Sequence, residues 1–381
     1  MARRHPTAAL ALALGLATAL SGCGARPGPE LRIGLILPMS GSLQSLAGFA
    51  MEGARLAVAE LESAGGLVIG GRACPVVLIT RDAQSSPELA VAAAQELINT
   101  ADVSAIVGPP LSAQAIPVAQ LASRAGVPMV VQLATHPDVT RGTTGVLRIC
   151  FVDAFQGTAL ARYARESLGA TRAAVLYDAT SPLPRDITGV FVRQFEGSGG
   201  KPVAIESFTT GQEDLRAALG RIAASAPEVL FLPNYRADLL QIAPQIRELG
   251  LSAQILGCDT MRFATPEDAR SFEGAYVTAH FVSDSPEPAA QAFFEAYKRE
   301  YRRTPEDSAA LTYDAINLLV QVARSQRSVD PKAIATGLAA IREFRGVTGT
   351  MRFDGSPDPT KSVVIAVFRN GVPTFRAQVN P

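Results

Sequence analysis

Leu31-Arg32-Ile33-Gly34-Leu35-Ile36-Leu37 is an almost unbroken apolar run, and the pattern that continues from it decides the fold. Gly48–Ser63 carries apolar residues at helical spacing, and Val76–Thr80 is apolar and extended again. A strand covered by helices on both faces reads as a continuous apolar run, so strand, helix, strand is the opening of a parallel βαβ series. The series continues with a helix at Pro87–Asn99, a strand at Ser104–Val107, a helix at Ala113–Arg124 and a strand at Pro128–Val131. It then starts again. Helices are expected at Phe155–Leu168, Asp186–Gly197, Leu215–Ala224 and Leu239–Leu249, alternating with strands at Ala173–Tyr177, Val203–Phe208, Glu228–Leu232 and Ala253–Leu256. Two successive series predict an α/β fold of two similar lobes, each a parallel sheet with helices on both faces.

The last third breaks the alternation. Ala275–Phe281 reads as extended, and Pro288–Arg302, Asp307–Arg324 and Pro331–Ile341 as helices. Val347–Phe353, Val363–Phe368 and Pro373–Ala377 read as strands, with Arg369-Asn370-Gly371 as a hairpin turn. No long low-complexity linker separates the lobes, so the chain makes either one short connection or several crossings.

Upstream of Leu31 the chain begins with Met1-Ala2-Arg3-Arg4-His5, then an Ala-, Leu- and Gly-rich run to Leu20. A basic start, a short apolar stretch and small residues at its end make a secretory signal. The run is too short for a membrane span, which needs ~20 apolar residues. Leu20-Ser21-Gly22-Cys23 resembles a bacterial lipobox, so residues 1–22 are expected to be removed and Cys23 lipidated. Residues 23–30 then form a Pro/Gly tether, and the remainder faces the periplasm or the cell exterior.

Composition narrows the function classes. The 381 residues are 48% hydrophobic and 18% charged, which suits a globular chain of two ordinary domains. Formal net charge is zero, giving no attraction to nucleic acid or to an anionic membrane surface. Apart from Cys23 the cysteines are Cys74, Cys150 and Cys258, an odd set without metal-like spacing, expected as buried free thiols. Only His136 and His280 lie beyond the signal, and no G-x-S-x-G elbow, H-E-x-x-H pair, P-loop or G-x-G-x-x-G fingerprint is present. No enzyme, metal or cofactor is expected.

Ligands of open parallel sheets settle beyond the carboxyl ends of the strands. The loops there are Pro38–Leu43, Gly108–Ser112, Gln132–Pro137, Leu232–Tyr235 and Leu256–Asp259. Ser112 and Thr135 each follow a strand directly; such a hydroxyl can cap a helix, or it can join exposed N–H groups to hold a carboxylate. Asp259 can close a turn or pair with a ligand ammonium. Tyr235 can be an ordinary half-buried tyrosine or a binding wall with a π-face and a hydroxyl.

The order of these loops resembles the extracellular solute-binding proteins of the leucine/isoleucine/valine-binding type, which feed ABC importers. Its markers are Ser40-Gly41 with Gly53, Gly65-Gly66, Ile106-Val107-Gly108 with Ser112, Gly126-Val127-Pro128, and Leu147-Arg148 with Gln156-Gly157. Tyr313-Asp314-Ala315 and Gly346-Val347-Thr348-Gly349 with Phe353-Asp354 complete the set. The resemblance implies a type I periplasmic binding-protein clamshell: two doubly wound parallel-sheet lobes joined by three crossovers. Residues 31–149 plus 282–346 would form the first lobe and 150–281 plus 347–381 the second. The crossings would lie near Arg148–Phe151, Thr278–Val282 and Gly346–Thr350.

By the same resemblance, Ser112 and Thr135 would grip an α-carboxylate, Asp259 the α-ammonium, and Tyr235 would wall the second lobe. Leu46, Leu111, Leu133, Ala134 and Leu183 would line the rest of the pocket. The family often has an aromatic where Leu46 stands and a Tyr-Gly pair near Leu183-Pro184; a usual cysteine near Ser85 is also absent, so its disulfide is not expected. The implied ligand is an amino acid, branched-chain or otherwise apolar, and the implied partner a membrane permease. A ligand without an ammonium (an aromatic acid, amide or urea-like solute) and a purely sensory module are the rival readings.

Overall fold

The computed structural model describes residues 28–41, 44–263 and 265–381, together with Met1. The lipobox, most of the tether, and Ser42 and Leu43 of the first loop lie outside the described residues.

The first lobe opens with β1 (Leu31–Leu37), α1 (Gln44–Ser63), a small hairpin of β2 (Val68–Ile69) and β3 (Arg72–Ala73), and β4 (Val76–Asp82). It continues through α2 (Pro87–Asn99), β5 (Ala105–Val107), α3 (Ser112–Ala125), β6 (Met129–Val131) and β7 (Val146–Arg148). The second lobe runs through α4 (Asp153–Arg162), β8 (Arg172–Asp178), α5 (Pro182–Gly197), β9 (Lys201–Phe208), α6 (Arg216–Ala224) and β10 (Val229–Leu232). It then adds α7 (Arg236–Glu248), β11 (Gln254–Gly257), α8 (Pro266–Ala269) and β12 (Tyr276–Ala279). Last come α9 (Pro288–Tyr301), α10 (Asp307–Gln326), α11 (Pro331–Ala340), β13 (Glu343–Gly346), β14 (Gly349–Arg352), β15 (Val363–Arg369) and β16 (Val372–Val379).

One sheet has the order β4-β1-β5-β6-β7, parallel throughout. The other has the order β16-β15-β12-β11-β10-β8-β9, parallel except where β15 and β16 join it. Each strand feeds two cores because its side chains alternate between faces. Leu31, Ile33, Leu35 and Leu37 of β1 pack with α1, α10 and α11, while Ile36 packs with α2 and α3 on the opposite face. In the second sheet Ala174 and Leu176 face α6 and α7, and Ala173 and Val175 face α4 and α5. Both lobes are therefore doubly wound, as the two apolar series predicted.

In both sheets the winding reverses beside the first strand of the series, β1 in one and β8 in the other. The loops after β5 and β10, which carry Ser112 and Tyr235, open at these switch points, where an open sheet leaves a crevice.

Three passages join the sheets: after Arg148, after Ala279, and between Arg352 and Val363. The third lies further along than the Gly346–Thr350 expectation. Strand β14 pairs with β13, and Met351 and Phe353 are buried in the first-lobe core beside Phe344. Asp314 fastens the β13–β14 turn to α10, accepting hydrogen bonds from Val347 N (2.8 Å), Thr348 N (3.0 Å) and Thr348 Oγ1 (2.6 Å), and buried polar groups fasten the passages as well. Lys361 Nζ donates to Thr348 Oγ1 (2.6 Å) and Ile149 O (3.1 Å), tying the third passage to the first. Asp307 receives His280 N (3.2 Å) and Phe281 N (2.8 Å), fixing the second passage to the start of α10.

Two markers owe their glycines to close approach. A Cβ on Gly53 would overlap the Ala309 carbonyl where α1 crosses α10, and one on Gly346 would overlap the Asp314 carboxylate. Cys74, Cys150 and Cys258 are buried free thiols, with burial raising each thiol pKa. No helix among the described residues is long and apolar enough to cross a membrane.

Candidate ligand-binding cleft

Ser112 is the first residue of α3, and its hydroxyl is not spent on capping. Its Oγ accepts a hydrogen bond from His136 N at 3.3 Å, which ties the loop after β5 to the loop after β6. Thr135, in that second loop, is only 2% exposed. A buried guanidinium shapes the loop from beneath: Arg148 donates to the Ala134 carbonyl, to His136 O (2.8 Å) and to Asp358 Oδ1 (2.8 Å). Arg148 is fully buried, and these bonds, with a fourth to Thr140 Oγ1 (3.3 Å), are what make a buried charge tolerable.

Asp259 follows β11 and is 7% exposed. Its Oδ1 accepts from Gln156 Nε2 at 3.1 Å, and its backbone N–H donates to Gln156 Oε1 at 3.3 Å. His280 Nε2 lies 3.5 Å from Asp259 Oδ2, and its ring stacks on Phe151 with centroids 3.7 Å apart. Burial opposes the charge on both partners. It holds the imidazole below its ordinary pKa, while His280, Arg262 and Gln156 together outweigh burial and keep Asp259 below the usual carboxylate range.

Asp153, at the start of α4, joins the two sides. Its Oδ1 accepts from the same Gln156 Nε2, at 2.9 Å, and its backbone N–H donates to Thr135 O at 3.2 Å. Burial first, then the neighbouring Asp259 charge, raises its pKa to about 6, against the opposing pull of Thr135, Gln156 and Arg148. Tyr235 precedes α7 and is 37% exposed; desolvation of its phenol first, then the Asp153, Asp259 and Asp178 charges, push its pKa upward. It has acidic groups on one side and is open to water on the other.

Thr135, Tyr235 and Asp259 thus stand near the Asp153–Gln156 bridge, and Ser112 joins the Thr135 loop through His136 N. Leu46 and Leu111 are half-buried and belong to none of the core clusters. Leu133, Ala134 and Leu183 are different: each is packed into a lobe core, which already accounts for an apolar side chain there. Asp259 also borders a cavity of about 290 Å³ walled by Met261, Arg262, Phe263 and Phe281. None of Ser112, Thr135 or Tyr235 lines it, so it lies on the far side of Asp259.

Sequence reasoning passed over Asp153, His136 and His280. Asp153 and Gln156 stand three apart on one helix face, a spacing that could have paired them. His136 reaches across the cleft, its Nε2 lying 3.1 Å from Asp186 Oδ2 on α5.

Known proteins share this architecture. The family described as periplasmic binding protein matches residues 30–368. The Leu/Ile/Val-binding protein BraC3 of Rhizobium johnstonii is 28% identical over 338 residues, 87% of this chain and 89% of its own length. The crystal structure of the leucine binding protein LivK from Thermotoga maritima is 31% identical, with a TM-score of 0.81 over 92% of this chain and 99% of its own. The substrate binding protein LivJ of Streptococcus pneumoniae, solved with isoleucine, is 29% identical, with a TM-score of 0.82 over 92% of this chain and 100% of its own. With the match running through both sheets, the chain belongs to the periplasmic binding protein family.

Proposed function

We propose that this chain is the solute-binding receptor of an ABC-type importer and that its ligand is an α-amino acid with a branched-chain or other apolar side chain. One observation carries the reading. Hydroxyls suited to a carboxylate (Ser112, Thr135) stand on one lobe, and a buried carboxylate suited to an ammonium (Asp259) stands on the other, around one cleft. An amino acid has both charges and so can satisfy both lobes at once. The relatives that bind leucine or isoleucine support the same ligand class.

In this mechanism the first lobe takes the carboxylate through Ser112, Thr135 and adjacent N–H groups, and the second lobe takes the ammonium through Asp259. The liganded interface is satisfied only when the cleft is shut, so the ligand shifts the population toward the closed form. Tyr235, Leu46 and Leu111 wall the remainder of the pocket, with Leu133, Ala134 and Leu183 backing it from the cores. The lobes divide at the three passages, with residues 282–346 returning to the first lobe and the β14 strand staying with them. Export, lipidation at Cys23 and the tether would hold the clamshell near its permease and raise its effective concentration there.

Calorimetric titration with the twenty amino acids tests the reading; heat with an apolar one is expected, and no heat with any would overturn it. Asp259→Ala is expected to weaken that ligand by ~1.5–3 kcal/mol, the scale of a charge-assisted hydrogen bond. Unchanged affinity would remove Asp259 from the site.

A further inference from the structure

Asp259 stands on a short turn that Arg262 closes. Met261 N donates to Cys258 O (2.9 Å), Arg262 N to Thr260 O (2.8 Å), and Arg262 Nε to Asp259 O (2.6 Å). Thr260 Oγ1 ties the same turn to Asn234 O in the loop after β10 (2.9 Å). Asp259 and the guanidinium therefore move as one piece with the second sheet. The other side of that guanidinium reaches out of the lobe, where Arg262 Nη2 donates to Asp307 Oδ2 at 2.8 Å. Asp307 opens α10, whose Ala309 lies against Gly53 of α1 and whose Leu311 and Ala315 pack in the first-lobe core. The ion pair thus joins the Asp259 turn to the opposite lobe, beside the passage whose His280 and Phe281 N–H groups Asp307 also holds.

The pair spans a gap. The cavity of about 290 Å³ is walled by Met261 and Phe263 from the second lobe and by Thr304 and Pro305 from the first. Side chains separated by a void do not orient one another, so the directional contact across it does. The Arg262 side chain is 24% exposed and that of Asp307 8%, which shields the pair more than an ordinary surface ion pair. A planar guanidinium also meets the Asp307 carboxylate and the Asp259 carbonyl at once, which an ammonium does less well. Because Arg262 takes the carbonyl of Asp259, the carboxylate stays free for the cleft.

We infer that Arg262 is a positioning residue for ligand capture: through Asp307 it holds the Asp259 turn facing Ser112 and Thr135 when the cleft is shut. This rests on the amino-acid reading above and adds to it a residue that touches no ligand. Losing the contact removes no group from the cleft but lets the shut form open sooner. The effect therefore belongs to release, because first encounter with the open cleft does not use the pair.

The test uses the full mature chain with Arg262→Met, which keeps an apolar stem without the charge, Arg262→Lys, Asp307→Asn and the double variant Arg262→Met with Asp307→Asn. L-Leucine affinity is measured by calorimetry and its association and dissociation rates by stopped flow. Arg262→Met is expected to weaken leucine about 5- to 20-fold, carried by faster dissociation, with association changed less than about twofold. Arg262→Lys is expected to recover part of the loss. The double variant should be about as weak as the weaker single one, because both substitutions break the same contact. Affinity and dissociation unchanged in Arg262→Met would overturn the inference and leave the amino-acid reading standing, as would a loss carried by association. Additive losses in the double variant would overturn it too. A wild-type chain that binds no amino acid overturns the amino-acid reading itself. If Arg262→Met fails to fold, the dissociation rate of Arg262→Lys decides, and a wild-type rate there overturns the inference.

Discussion

A carboxyl group buried beside another carboxylate opposes folding whenever it is ionised, and Asp153 is such a group. Its pKa is raised from 3.8 to about 6, so the folded chain binds this proton more tightly than the unfolded chain. Its contribution is therefore most favourable in acid and is lost as the pH rises through about 6. Asp153→Asn removes the penalty. The ligand-free variant is expected to be more stable than wild type at pH 7.5 by roughly 2–3 kcal/mol, a difference that shrinks toward pH 4. Thermal unfolding across that range checks it, and a variant less stable at pH 7.5 would contradict the assignment. Asp153 is a buried carboxyl beside a second one, and it carries no sequence signature of its own. Such residues are poorly legible in sequence. Ser112, Thr135, Tyr235 and Asp259 announce themselves because they follow strands, where open sheets leave room for ligands. Asp153 follows a crossing and opens a helix, and nothing in its neighbours points at a cleft. Leu133, Ala134 and Leu183 are ambiguous in sequence for another reason: core packing and pocket lining demand the same residue types.

Among the elements, the long apolar strands and the amphipathic helices were readable from periodicity alone. Pro87–Asn99 agrees with α2 at both ends, and the Arg369-Asn370-Gly371 turn joins β15 to β16, with Asn370 and Gly371 at positive φ. What was missed is short or capped. Strands β2, β3, β7 and β13 have too few residues to show a period. Helix α5 begins at Pro182, four residues before its expected start, because proline reads as a breaker although it suits the first turn. The third passage was misplaced because a strand's partner is not written in its own residues; β14 stays with β13 while its flanks look like the strands beyond it. Where helices cross, the constraint is volume. Gly53→Ala would push a methyl into the Ala309 carbonyl and is expected to cost about 1–3 kcal/mol, read by urea unfolding. Wild-type stability in that variant would show that α1 and α10 can separate freely.

Over the whole molecule, two sheets face one cleft, and the passages between them are pinned by Asp307 and Lys361. Across the cleft His136 meets Asp186, whose side chain is 41% exposed. A contact so open to water contributes ~0–1 kcal/mol, too little to keep the lobes shut alone. Moving a two-state equilibrium from mostly open to mostly closed takes about 5.5 kcal/mol of preferential binding, which falls to the ligand. A ligand gripped by one lobe favours neither form, so both charged ends are required. The most direct measurement compares three molecules by calorimetry: the amino acid that binds most tightly, its amide, which lacks the carboxylate, and its deaminated acid, which lacks the ammonium. Tight binding of the amino acid, with both analogues weakened at least tenfold, is the predicted result. A deaminated acid that binds as tightly as the amino acid would contradict the account.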